Sequence, residues 1–193
     1  MTKVTFLVKG QNIFSAASAA IHKIGQIRNS LDDKSTLTLI HSFVTSRLDF
    51  NNGLLGNIAD KDIAQLQRVQ NITARIATKA RRQEHISPIL KSLHWLTIDK
   101  RIQFKILLLT FKALNGTAPN YISELLHNYT PARTLRSQSQ HLLQTPRFNT
   151  QYYGKRAFSI AAPTLWNNLP LHIRSITSLA AFQTAVKTHL FND

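Results

Sequence analysis

Two adjacent aspartates, Asp32 and Asp33, come nearest in this chain to a reactive constellation, because neighbouring carboxylates can hold divalent metal ions for phosphoryl transfer. That chemistry needs the pair on a tight hairpin and a third carboxylate close by. No strand pattern flanks residues 31–33, whereas an amphipathic stretch begins directly after them. The pair therefore reads as the negative start of a helix. The eight histidines are scattered and form no His-x-x-x-His, so no metal site is expected. Ser159 lacks a Gly-x-Ser-x-Gly elbow, and the six glycines are isolated rather than gathered in a phosphate loop. Glu84, Asp99 and Glu124 stand in no context suited to acid–base work. No catalytic residue, metal ligand or cofactor is assigned, and the chain alone is not expected to be an enzyme.

Positive charge is what the chain holds in quantity. Twenty-four Lys and Arg against nine Asp and Glu give a formal charge of +15, and residues 125–192 contain no acid at all. An unneutralised excess of this kind favours polyanions through counterion release, so nucleic acid is the first partner to consider. Lys61, Arg68, Arg75 and Lys79 fall within about 40° of one another on an ideal helix. Arg81 and Arg82 extend that row, which suits contact with a phosphate backbone. A charged stripe opposite an apolar face is also what any solvated helix shows. Arg101, Lys105 and Lys112 form a second, narrow cationic stripe facing water, and Arg133 and Arg136 sit in a polar, basic stretch. Tyr153, with Lys155 and Arg156, offers the mixture of ring and cation that stacks on single-stranded bases. Phe158 and Trp166 are assigned to the core.

These residues need helices to position them. Residues 97–115 are the most apolar part of the chain and have no internal Gly or Pro, with Gly116 and Pro119 as stop signals. Ile98, Ile102, Leu109 and Ala113 share one side and Leu107, Phe111 and Leu114 the other, as in a central buried helix. Its cations interrupt the run short of the ~20 apolar residues a bilayer requires. Further helices are expected over residues 12–29, with Ile13, Ala17, Ala20, Ile21, Ile24 and Ile27 inward, and after Asp33, with Leu37, Ile40, Val44 and Leu48 inward. Another runs from Asp60 to about Lys79, on Ile63, Leu66, Val69, Ile72 and Ile76. Residues 120–128 follow, with Tyr121, Ile122, Leu125 and Leu126 inward. Pro163 is expected to open a short helix, and Ser178 to cap a last one on Leu179, Phe182, Val186 and Leu190. Residues 1–10 read as a strand remnant or an artificial start, Pro88 as an interruption, and 130–150 as an exposed basic linker where 142–144 pairs as a short strand. The expected fold is mainly α, a helical bundle around helix 97–115 with a looser basic C-terminal segment. The lack of cysteine excludes disulfides and Cys-based zinc and points to an intracellular setting, nucleus or cytoplasm.

Several long blocks add a family resemblance. They are HSFVTSRLDF at 41–50, LQRVQNITARI at 66–76, HISPILKSLHWLTIDKRIQFKILLLTFKALNGTAPNYISELL at 85–126, YGKRAFSIAAPTLWNNLPLHIRS at 153–175 and SLAAFQTAVKTHLF at 178–191. In this order they resemble the C-terminal region of reverse transcriptases from LINE-type (non-LTR) retrotransposons of the Jockey and chicken-repeat groups. The resemblance implies a parent RNA-directed DNA polymerase whose metal-binding palm lies upstream of the part matched here. Residues 1–30 would then be a helix leading out of that palm, 31–128 a thumb-like helical domain, 129–152 a basic linker and 153–193 a C-terminal helical segment. It further implies a non-catalytic grip on RNA or an RNA–DNA hybrid, with Lys61, Arg68, Arg75 and Lys79 on a thumb-like helix. No membrane partner is implied. Unlike some LINE proteins, the chain has no Cys/His knuckle near its end. The other reading the residues allow is a helical protein-interaction module, with apolar faces that a palm once covered, or a retroelement relic without function.

Overall fold

Apolar residues recurring at three- and four-residue spacing, with few breakers between them, give a mainly helical molecule. The structure, a computed structural model, describes residues 3–50, 52–55, 60–130, 140–147 and 157–192, with side chains described from Ser15 onward except those of 54 and 55. The α-helices are α1 (Lys3–Ile27), α2 (Asp33–Ile40), α3 (Ser46–Asp49), α4 (Asp60–Thr78) and α5 (Ile86–Ser92). They continue with α6 (Ile98–Leu114), α7 (Asn120–Ser123), α8 (Phe158–Asn168), α9 (Leu171–Arg174) and α10 (Leu179–Asn192). Residues 1–52 with 58–101 make one compact unit, and 53–57 with 102–193 make a second.

In the first unit, Ala17, Ile21 and Ile24 of α1 are buried, as are Ile40, Val44 and Leu48, and Leu66 and Val69 of α4. Residues 1–10, for which a strand remnant was one of the expectations and the start of a helix over 1–30 another, are helical from Lys3, continuous with α1. Extending a nucleated helix adds a hydrogen bond per residue, while a lone strand has no edge to pair with. Ile27, expected inside, is exposed, and Arg28 is buried in its place. Asp32 caps α2 as expected, its carboxylate accepting the Ser35 N–H at 3.3 Å. A π turn, His41–Thr45, joins α2 to α3, and His41 meets Trp95 edge-on with ring centroids 5.8 Å apart. Pro88 does not interrupt a helix. It lies in the first turn of α5, where its missing N–H would have no intrahelical partner.

In the second unit, Phe182 of α10 stacks on Phe111 of α6 at 4.3 Å and meets Trp166 of α8 at 5.7 Å. Gly116 ends α6 with a φ of 67°, the left-handed value its stop role requires. Three expectations need correction here. α7 stops at Ser123, leaving Tyr121 69% exposed and Leu125 exposed, because the chain turns extended to bridge Asn128 with Leu143. That single antiparallel bridge stands where a short strand over 142–144 was expected. Leu143 is buried, and Asn167 brackets it by accepting its N–H at 2.9 Å and donating to its carbonyl at 2.8 Å. Pro163 lies inside α8 rather than at its start, fully buried, at the cost of one intrahelical bond to Ser159.

Candidate nucleic-acid interface

The cation row depends on how α4 is turned about its axis. Its buried residues are Leu66, Val69, Gln70, Thr73, Ala74 and Ala77. This side is rotated by about 50° on an ideal helix from the face of Ile63, Leu66, Val69, Ile72 and Ile76. Gln70 accounts for the rotation. Its Nε2 donates to the Leu96 carbonyl at 2.8 Å, and its Oε1 accepts from Gln67 at 3.0 Å. Gln67 Oε1 in turn accepts the Ile98 N–H at 2.9 Å, so both glutamines tie α4 to the start of α6. Buried amides with satisfied hydrogen bonds hold the helix at this angle. Ile72 is displaced outward to 52% exposure, and Ile63 and Ile76 are half-buried.

On the outer side, Lys61 and Arg68 are exposed and make no ion pair among the described residues. Arg75 is half-buried, and its Nη2 donates to the Glu84 carbonyl at 3.0 Å, which fastens the turn after α4. Lys79 does not continue the row on the helix. α4 ends at Thr78, Lys79 has a φ of 56°, and the Ala80 N–H closes the end on the Arg75 carbonyl at 3.1 Å. Lys79 instead joins exposed Arg81 and Arg82 in the turn, where Glu84 accepts the Arg81 N–H at 2.7 Å. Arg101 does not face water as expected. It pairs with Asp49 at 3.0 Å, and burial draws its guanidinium below the usual value while the Asp49 carboxylate opposes that shift. Lys105 is exposed, in the second unit. Arg133, Arg136, Tyr153, Lys155 and Arg156 lie outside the described residues. The cations of this row that stay exposed are thus Lys61 and Arg68 on α4 and Lys79, Arg81 and Arg82 in the turn beyond it.

Beside Arg68 runs a groove of about 580 Å³ between α1 and α4. Buried Ile21 and Val69 and half-buried Ile76 form its floor. Ser18, His22, Gly25 and Gln26 line it from α1, and Arg68 and Ile72 from α4. Sequence reasoning missed it because Ile72 and Ile76 were assigned to the core. The glutamine and threonine at 70 and 73 gave no local sign that they would be buried instead. Among the described residues, no group of three or more His, Asp or Glu could hold a metal ion. No described helix is long and apolar enough to cross a membrane. Compared with models of known protein families, with characterised proteins and with solved structures, the chain gives no match.

Proposed function

We propose that this chain is a non-catalytic nucleic-acid-binding part of a LINE-type RNA-directed DNA polymerase, gripping phosphates through its basic helix faces. The observation that carries this reading is the outer side of α4 with the turn after it, where Lys61, Arg68, Lys79, Arg81 and Arg82 are exposed in a chain of charge +15. Lys61 and Arg68 lie two turns apart, about 10.5 Å along the axis. That is roughly three phosphate steps of a strand. The sequence blocks that resemble retrotransposon polymerases supply the class of partner, RNA or an RNA–DNA hybrid.

The test is binding of the whole chain to labelled single-stranded RNA, an RNA–DNA hybrid and duplex DNA over a salt series. Affinity of about micromolar or better at low salt, falling steeply with ionic strength, is expected. It should weaken in Lys61→Ala, Arg68→Ala and Arg81→Ala. A folded chain that binds none of the three at low salt removes this reading. The groove favours a second one, a protein-interaction module, because phosphates gain nothing from an apolar floor.

A further inference from the structure

We infer that the groove between α1 and α4 seats an acidic amphipathic helix from another polypeptide, with its apolar edge on Ile21, Val69, Ile72 and Ile76 and its carboxylates toward Arg68. The inference stands independently of nucleic-acid binding.

Three observations lead to it. The first is the outward placement of large apolar groups. α4 buries Gln70 and Thr73 while leaving Ile72 half in water, so the apolar surface beside Arg68 is unmatched among the described residues of this unit. The second is room. Gly25 sits in the wall of α1, and a Cβ there would meet Ile76 Cδ1 at 3.6 Å, an ordinary contact. Neither packing nor backbone conformation therefore requires glycine at this position, and its effect is to leave the groove open. A mid-helix glycine costs about 1 kcal/mol relative to alanine. The lining from Ser18 to Gln26 covers roughly 12 Å of α1, close to the ~10.5 Å between residues i and i+7 of a docked helix.

The third observation is charge, which selects the occupant. Among the described residues no carboxylate lines the groove, and Arg68 stands at its rim with Lys61 further along the same side of α4. A second copy of this chain, packed by two-fold symmetry, would bring the same cationic rim against itself, a like-charge arrangement that disfavours pairing. An apolar edge flanked by Glu or Asp satisfies both the floor and the rim.

The probe is a fluorescent peptide of about 18 residues, long enough to be helical, with Leu at i, i+4 and i+7 and Glu on its remaining faces. The same peptide with Lys for Glu, and a scrambled version, serve as comparisons. The Leu/Glu peptide should bind the whole chain, and the other two at least about tenfold more weakly. Ile72→Ser removes apolar surface and Gly25→Leu fills the groove. Both positions are exposed, and each variant should weaken the Leu/Glu peptide by about tenfold or more. Arg68→Glu should move preference toward the Lys peptide, while Ile72→Ser should leave RNA binding unchanged. Failure of the Leu/Glu peptide to bind a folded chain overturns the inference, as does equal binding to the Ile72 and Gly25 variants. So does a dimer, seen in sedimentation, that Ile72→Ser dissociates, or capture by anionic vesicles in preference to the peptide.

Discussion

Arg28 shows how one charged residue can serve as interior structure. Its Nε donates to the Ile76 carbonyl at 2.8 Å, its Nη1 to Leu31 at 3.0 Å, and its Nη2 to Ala77 at 3.1 Å and to Asp33 at 2.5 Å. Ile76 and Ala77 belong to the last turn of α4, where carbonyls have no intrahelical donor and a cation is favoured. Only a rigid guanidinium fork reaches all four acceptors. Arg28→Met should cost about 2–4 kcal/mol in urea denaturation, since it strands buried carbonyls. Asp33→Asn should cost no more than about 1 kcal/mol, because that carboxylate is exposed. Equal losses in the two variants would place the stabilisation in the ion pair rather than in the carbonyls. Asp32 provides a test against pH. Its hydrogen bonds from Ser35, side chain first and then backbone, hold its carboxyl below the ordinary value. A depressed folded-state pKa means stability that is present above the unfolded value of about 3.9. That stability is lost as pH falls through the lower folded value. The melting temperature of Asp32→Asn should therefore lie below that of the parent at neutral pH, with the gap closing in acid. A gap that stays constant down to pH about 2 would remove the charge from the account of this cap.

At the scale of the helix, α4 separates what local pattern can specify from what it cannot. The starts of α2 and α4, the stop at Gly116 and the buried spacing of Ile40, Val44 and Leu48 were legible, because each rests on residues within a few positions of one another. The rotation of α4 was not legible. It is set by a hydrogen bond from Gln70 to a carbonyl 26 residues away, which no periodicity records. Likewise α7 is cut short by pairing with residues that follow a long stretch of chain, and Leu143 is held by Asn167 rather than by its neighbours. The candidate site inherited this division. The exposure of Lys61 and Arg68 could be read from spacing, but the departure of Lys79 from the row, the tethering of Arg75 and Arg101, and the groove beside Arg68 could not. Gln70→Leu tests the point directly. Although more apolar, it strands the buried Leu96 carbonyl, while Gln67 keeps its bonds to Asn71 and Ile98, and it should destabilise by about 1–3 kcal/mol. A stabilised Gln70→Leu variant would mean that hydrophobic burial, not the amide, fixes the rotation.

For the whole molecule, net charge alone overstates how many cations are free to meet a polyanion. The first unit holds fifteen Lys and Arg against seven acids, and the second nine against two, so both are cationic. Yet in the first unit Arg28 is buried, Arg47 donates to the Ala16 carbonyl at 2.7 Å, Arg75 is bound to Glu84 and Arg101 to Asp49. Cations engaged in this way gain little from releasing counterions on binding, whereas the five exposed ones on α4 and in the turn directly after it are free to do so. If those five carry the grip, the slope of log K against log salt should be about −3.5 for single-stranded RNA, at roughly 0.7 per phosphate neutralised. Lys61→Ala and Arg68→Ala should each make it shallower by about 0.7 with little effect on folding. Arg101→Gln should do the reverse, lowering stability in urea while leaving the slope in place. A slope that falls as far for Arg101→Gln as for Arg68→Ala would place Arg101 on the phosphates despite its pairing with Asp49. A slope that none of these changes moves would mean that α4 presents an ordinary solvated face, and that the polyanion contacts, if any, are made elsewhere on the chain.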